Sequence, residues 1–142
     1  MEKTNNQVEV IVFKKAQADK YVYLLFKRVA AKGGFWQPIT GNVLPHEEFS
    51  DAARRELYEE AGVKEPVRLF DVEHEFTFFD DGRLQREKVF AAEVSEATQI
   101  RLSSEHDECR WESYDEAINK FLKYPGNKEA IGILDKYLRS KR

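Results

Sequence analysis

The order of hydrophobic and polar positions predicts two pairs of strands separated by a helix. VEVIVFKK from Val8 and YVYLLFKR from Tyr21 are apolar, β-branched and aromatic runs separated by a short polar segment, which predicts a β-hairpin. Two further runs begin at Val67 and Gln85 and flank Asp81-Gly82, a strong turn signal. They predict a second hairpin.

Residues 48–61 lie between the two hairpins and carry the helical pattern. This segment contains neither glycine nor proline and is rich in helix-forming residues, and Gly62 directly after it suits a left-handed C-terminal cap. The preceding stretch, punctuated by glycine and Pro38, predicts a loop that leads into a short strand at 39–43.

The C-terminal part predicts one more strand and two helices. ECRWES, residues 108–113, is the expected strand, and Ser113 with Glu116 three positions later is a capping-box pattern that opens a helix. Pro125-Gly126 is expected to end that helix, and an apolar stripe predicts the last helix from about Asn127. Strands and helices in this order predict an α+β fold, a mixed sheet with helices packed on its faces.

Composition supports a single globular domain over residues 1–142. The chain is 42% hydrophobic and 35% charged, and its net charge of −3 argues against a general nucleic-acid surface. Cys109 is the one cysteine, so an internal disulfide is excluded. The N-terminal residues lack a signal-peptide pattern and no apolar run reaches membrane-spanning length, so we expect a cytoplasmic protein without a membrane partner.

The predicted central helix concentrates acidic residues on one stripe. Ala52, Ala53, Glu56 and Glu60 fall within about 100° of its circumference, with Glu59 at the margin. The spacing of the three glutamates allows their carboxylates to converge, and buried like charges are costly unless a cation compensates them. Oxygen ligands suit Mg²⁺ first and Mn²⁺ second. The alternative is a solvated helix face whose acids pair with the two arginines at 54–55.

The stretch around this helix matches a known signature. Gly41 is followed after five residues by Glu47, and after seven more by RELYEEAGV from Arg55 to Val63. These positions match the Nudix box, so the chain resembles MutT-like Nudix hydrolases. FWQPITG resembles the opening seen in pyrophosphohydrolases of dihydroneopterin triphosphate and of nucleoside triphosphates. The resemblance implies an α/β/α sandwich that contains the Nudix loop-helix-loop.

The resemblance also implies roles for particular residues. It implies that four groups bind metal: the Gly41 carbonyl and the carboxylates of Glu56, Glu59 and Glu60. Glu47 and Arg55 match a pair that orients the loop and the helix, although a surface ion pair of Arg55 with Asp51 or Glu59 is the plainer alternative. Leu44 and His46 replace an acidic residue and a glycine that many relatives have, which removes one auxiliary ligand.

Three further assignments stay open. Either Glu56 or Glu105 is the catalytic base that takes a proton from the attacking water, and Glu105 also fits a polar surface loop. Trp36 suits stacking on a purine or pterin ring, or packing as a core tryptophan. Arg28, at a predicted strand end, suits a phosphate contact or simple exposure.

The expected activity is Mg²⁺-dependent hydrolysis of a phosphoanhydride in a nucleoside or pteridine triphosphate, with release of pyrophosphate. A dinucleoside polyphosphate or nucleotide-sugar hydrolase is the alternative among enzymes. A Nudix-fold sensor that binds a nucleotide without cleaving it is the alternative from another class, but such binders commonly lose metal glutamates. The expected partner is thus a small polyphosphate, and homodimer formation is left open.

Overall fold

The computed structural model of the protein describes residues 4–141, which form one mixed sheet with helices on both faces. The strands in this range are β1 Asn5–Lys15, β2 Tyr21–Arg28, β3 Trp36–Gln37, β4 Ile39–Asn42, β5 Arg68–Asp80, β6 Arg83–Glu93 and β7 His106–Ser113. The helices are α1 Phe49–Ala61, α2 Tyr114–Glu116 and α3 Pro125–Ser140, with a π-helical turn at Ala117–Phe121.

The sheet has the order β3-β2-β1-β6-β5, with β4 added to β1 and β7 added to β2. Strands β1 and β6 run parallel, while the other pairs are antiparallel. Both predicted hairpins are present, as β1 with β2 and β5 with β6. The mixed sheet of the predicted fold is thereby confirmed.

Alternation along β1 separates two apolar layers. Val8, Val10 and Val12 pack with the apolar side of α1, whereas Ile11 and Phe13 pack with α3. Because successive side chains of a strand point to opposite faces, β1 lies at the centre of the sandwich. The predicted packing of helices on both faces of the sheet is confirmed.

Helix α1 lies close to its predicted bounds. The backbone N–H of Glu48 donates to the Asp51 carboxylate at the N-terminus, and Gly62 ends the helix in the left-handed region with φ of 72°. Glycine adopts this conformation without the strain that a Cβ brings. The buried apolar side chains of α1 are those of Ala52, Ala53, Leu57 and Ala61.

The prediction that Pro125-Gly126 ends a helix is wrong. Pro125 instead starts α3, where its missing N–H costs no hydrogen bond. Gly126 lies against the ring of Phe76, and a Cβ at residue 126 would come within 2.8 Å of that ring. The segment opened by Ser113 is also shorter than predicted, with one α-turn and then the π-turn.

Two strands differ from the sequence pattern. Strand β7 begins at His106 rather than at 108, and β5 carries an irregularity between Asp71 and Glu75. Glu73 there has a positive φ of 63°, and its N–H donates to the Asp71 carboxylate. Among the described residues, no helix is both long and apolar enough to cross a lipid bilayer.

Candidate active site

The site begins where β4 approaches α1. Gly41 pairs with Val8 in the sheet, and a Cβ at residue 41 would overlap the carboxyl group of Glu56. Only glycine therefore allows the strand to lie this close to the helix. The backbone of Gly41 therefore lies directly beside the carboxyl group of Glu56.

Arg55 connects the loop before α1 to the helix itself. Its Nε donates to Glu47 Oε2 at 2.7 Å and its Nη2 to Glu47 Oε1 at 3.0 Å, which is a two-pronged charge-assisted pair. Nη2 also donates to the Asn42 carbonyl at 2.8 Å, and the Leu44 N–H donates to Glu47 at 2.9 Å. The guanidinium holds the pKa of Glu47 below its usual value.

The same guanidinium reaches two of the three predicted metal glutamates. Arg55 Nη1 donates to Glu56 Oε1 at 2.8 Å and to Glu59 Oε1 at 3.0 Å. The predicted alternative pairing of Arg55 with Glu59 is thus present together with the Glu47 pair. The Asp51 carboxylate instead accepts the amide of Glu48.

Glu60 points toward a different neighbour. Its Oε1 accepts a hydrogen bond from Ser103 Oγ at 2.9 Å, and His106 Nδ1 lies 3.4 Å from the same oxygen. Across residues 4–141, no three His, Cys, Asp or Glu side chains are grouped closely enough to hold a metal ion as they stand. The three carboxylates are not gathered at one point: Arg55 contacts two of them, and Ser103 contacts the third.

The environment of these carboxylates favours added positive charge. Burial, together with smaller effects of the Glu59 and Glu60 charges, raises the pKa of Glu56 to about 7 against the opposing effect of Arg55. Burial also raises the pKa of Glu60, partly offset by the Ser103 hydrogen bond. A cation next to such groups stabilises their ionised form.

The groups present fit a hard divalent cation. All of them would bind through oxygen: three glutamate carboxylates and the Gly41 carbonyl. Because residue 41 has no Cβ, its backbone lies close to the Glu56 carboxyl group. The chemistry of the donor set therefore suits Mg²⁺ or Mn²⁺ better than a soft metal.

Glu105 lies beside this region, between two cations. Its carboxylate is 3.4 Å from Arg28 Nη2 and 3.4 Å from Lys32 Nζ, with 44% of the side chain exposed. Its charge is near enough to raise the pKa of Glu60. The loop that carries Glu105 therefore belongs to the surroundings of the α1 carboxylates, Glu56, Glu59 and Glu60.

Arg28 is the last residue of β2, and Trp36 is the first residue of β3, which pairs with β2. The Trp36 ring packs edge to face on Phe121 with ring centres 5.5 Å apart, and the residue is half-buried in the α3-side core. This packing is what the core-tryptophan alternative predicts. The buried Nε of Arg28 has no hydrogen-bond partner among the described residues, and its Nη2 contacts Glu105.

Three contacts of the site have no signal in the residue pattern. Each joins residues from different parts of the chain: Ser103 with Glu60, Lys32 with Glu105, and the Asn42 carbonyl with Arg55. His106 also lies at the site, next to Glu60, and burial lowers the pKa of its imidazole. Such contacts depend on how β2, β4, α1 and the loop before β7 meet, which residue spacing does not encode.

Comparison with known proteins identifies the family. The model of the NUDIX domain matches residues 5–135, so the chain belongs to the NUDIX family. The predicted resemblance to Nudix hydrolases and the predicted fold class are both confirmed.

Two curated proteins share part of this sequence. An octanoyltransferase from Myxococcus xanthus is 34% identical over 76% of the chain and 30% of its own length. The asymmetrical bis(5'-nucleosyl)-tetraphosphatase of Caenorhabditis elegans is 33% identical over 58% of the chain and 62% of its own length. The chain thus spans less than two thirds of either protein.

Solved structures resemble the whole fold. An Ap4A hydrolase complex from C. elegans has a TM-score of 0.84 at 24% identity, with 96% of this chain and 99% of that chain covered. A Listeria monocytogenes protein described as a NUDIX hydrolase scores 0.82 at 29% identity, covering 95% and 94%. The dihydroneopterin triphosphate pyrophosphohydrolase of E. coli scores 0.74 at 25% identity, covering 95% of both chains.

Proposed function

We propose that the chain is a Mg²⁺-dependent pyrophosphohydrolase that cleaves a phosphoanhydride in a nucleoside triphosphate or a similar pteridine triphosphate, with release of pyrophosphate. The observation that carries this proposal is the arrangement around α1. Gly41 lies against Glu56, and Arg55 ties Glu47 to Glu56 and Glu59. The NUDIX membership and the E. coli neighbour support the same reaction class.

The residues divide into binding and orienting groups. Glu56, Glu59, Glu60 and the Gly41 carbonyl would hold the ion. A bound divalent ion supplies charge neutralisation at phosphate oxygens and a Lewis acid for the reacting phosphorus. Arg55 and Glu47 keep the loop and the helix in one relative position, since three guanidinium hydrogen bonds cross between them.

The water that attacks phosphorus needs a base, and both candidates remain in the proposal. Glu56 has a pKa raised to about 7, which suits proton transfer near neutral pH. Glu105 is half-exposed beside Arg28 and Lys32, where it can reach solvent. Arg28 is proposed as a phosphate contact and Trp36 as part of the wall against which the heterocycle lies.

A second candidate substrate is a dinucleoside polyphosphate. It is favoured by the 33% identity to the asymmetrical tetraphosphatase of C. elegans. That reaction also cleaves a phosphoanhydride, so the same carboxylates would serve. The two reactions differ in the leaving group, which is pyrophosphate from a triphosphate and a nucleotide from a dinucleoside polyphosphate.

The test is a substrate panel with Mg²⁺, containing nucleoside triphosphates, dihydroneopterin triphosphate and Ap4A. Wild type should release pyrophosphate from a triphosphate, whereas Glu59→Gln and Glu60→Gln should each lose about a hundredfold in turnover, as expected when one group that stabilises developing charge is removed. Equal rates in all three proteins would remove the metal assignment. Faster cleavage of Ap4A than of any triphosphate would favour the second candidate.

Glu105→Gln belongs in the same assay, because it separates the two base candidates. A loss of about a hundredfold or more would assign the base to Glu105. An unchanged rate would leave Glu56. Glu108→Gln, an exposed carboxylate three residues further on, is the matched control for a general charge effect.

A further inference from the structure

Ser103 lies between the helix and the loop that carry the two base candidates. Its Oγ is 2.9 Å from Glu60 Oε1 on α1 and 3.1 Å from the backbone nitrogen of Glu105. The side chain is partly buried, in the loop that leads into β7. One hydroxyl thus contacts two groups that are 45 residues apart in the chain.

The chemistry of the two partners fixes the direction of both hydrogen bonds. An amide nitrogen only donates and an ionised carboxylate only accepts, while a serine hydroxyl has one hydrogen and two lone pairs. The Glu105 N–H must therefore donate to Oγ, and the Oγ hydrogen must go to Glu60. Ser103 has no freedom to turn its hydrogen elsewhere without losing a charge-assisted bond.

The far end of this link is anchored to the sheet. The Val29 N–H donates to the Glu105 carbonyl at 3.1 Å, and the Glu105 carboxylate meets Arg28 at 3.4 Å. The loop therefore cannot shift independently of the end of β2. The hydrogen bond from Ser103 connects this anchored loop to Glu60.

His106 closes the other side of Glu60. Its imidazole is buried against the Phe26 ring, with ring centres 5.2 Å apart, and Nδ1 lies 3.4 Å from the same Oε1 that Ser103 binds. Glu60 Oε1 therefore has the Ser103 hydroxyl and the His106 imidazole as neighbours.

We propose that Ser103 is a positioning residue that sets the rotamer of Glu60 and links it to the Glu105 loop, so that the metal carboxylate and the loop keep one relative geometry. This inference rests on the proposed function. A binding role for Ser103 itself is not needed, since its hydrogen and one lone pair are already engaged. Partners of this kind, one layer behind a ligand, affect metal affinity by orienting the ligand.

The test compares Ser103→Ala with Ser103→Thr, which keeps the hydroxyl, and with Ser104→Ala, which removes the neighbouring exposed hydroxyl. Mn²⁺ alone is titrated while thermal unfolding is followed, and kcat and KM are then measured on the best triphosphate. Ser103→Ala should need about tenfold more Mn²⁺ for the half-maximal shift and should lose about tenfold in kcat with a smaller change in KM. Ser103→Thr and Ser104→Ala should stay close to wild type.

Two results would overturn the proposal. One is a wild-type Mn²⁺ midpoint in Ser103→Ala. The other is a loss in Ser103→Ala that Ser103→Thr does not restore, because the hydroxyl would then not be the cause. The Mn²⁺ titration needs no substrate and therefore tests the positioning role by itself. A wild type that binds Mn²⁺ but cleaves neither a triphosphate nor Ap4A would count against the proposed function alone.

Discussion

Two groups of glutamates lie on opposite sides of the sheet, and they are compensated in different ways. The α1 carboxylates have a guanidinium and a hydroxyl next to them, from Arg55 and Ser103. The inner pair, Glu9 on β1 and Glu87 on β6, lies on the α3 side and has no ion-pair partner among the described residues. The α1 carboxylates therefore have a guanidinium beside them, whereas the described residues place no cationic side chain against the inner pair.

The surroundings of the inner pair favour protonated carboxyl groups. Glu9 is fully buried, and Asn127 of α3 donates to its Oε1 at 2.6 Å, while its Oε2 has no partner among the described residues. Burial and then the nearby charge of Glu87 hold the pKa of Glu9 well above its usual value. Burial raises the pKa of Glu87 to about 7.

The difference shows what a cluster of buried acids needs in order to bind a cation. The α1 carboxylates lie at the end of β4, beside a loop and with Glu59 half-exposed, so an ion can reach them. The inner pair lies under α3 with 0% and 3% exposure, so a proton is the cation that reaches it. Access, more than the number of carboxylates, separates a candidate metal site from a buried acid pair.

The largest stability effect is expected from Arg55→Ala. This change removes the counter-charge of Glu47, Glu56 and Glu59 together, and the guanidinium is 25% exposed, between the buried and exposed extremes. We expect a loss of about 2 kcal/mol in the free energy of unfolding, from chemical denaturation without metal. Arg54→Ala, an exposed neighbour on the same helix, should change it by less than about 0.5 kcal/mol. Equal effects would show that Arg55 does not compensate the cluster.

The next effect in size is the response to metal. Millimolar Mg²⁺ or Mn²⁺ should raise the melting temperature of wild type and of Glu87→Gln, but not of Glu60→Gln, because only the α1 carboxylates are accessible. A concentration about tenfold above Kd stabilises by about 1.4 kcal/mol, which for this chain length is a shift of about 5 °C. An equal shift in Glu60→Gln, or a shift that Glu87→Gln abolishes, would contradict the comparison.

The sequence predicts the α1 carboxylates better than it predicts the inner pair. Periodicity placed α1 and both hairpins, because local spacing reflects which face of an element is buried. The 41–63 signature identified the acids of α1. In contrast, Glu9 looks like one polar interruption in VEVIVFKK, and only the parallel pairing of β1 with β6 brings it beside Glu87. The sequence pattern does not predict the contacts of Arg55 with Glu56 or of Ser103 with Glu60 either. They depend on side-chain rotamers and on a loop from another part of the chain.

The smallest expected effect is on the pH dependence of stability, and it concerns the inner pair. The pKa of Glu87 is about 7 in the folded protein and near its usual value of 4.5 in the unfolded chain. Between these values the folded state binds more protons, so the free energy of unfolding falls as the pH rises.

Glu87→Gln removes this titration and should stabilise the protein at pH 8 by about 1 kcal/mol, since one unit of pKa corresponds to about 1.4 kcal/mol and coupling to Glu9 reduces the gain. Denaturant unfolding of wild type and variant without metal, from about pH 5 to pH 8, measures it. The fall with pH should become shallower but not vanish, because Glu56, whose pKa is also raised to about 7, still titrates in this range. Glu96→Gln at an exposed loop position should leave the fall unchanged. Identical slopes for Glu87→Gln and wild type would show that the pKa of Glu87 is not raised in the folded protein, and would contradict the assignment of the inner pair as an uncompensated acid pair.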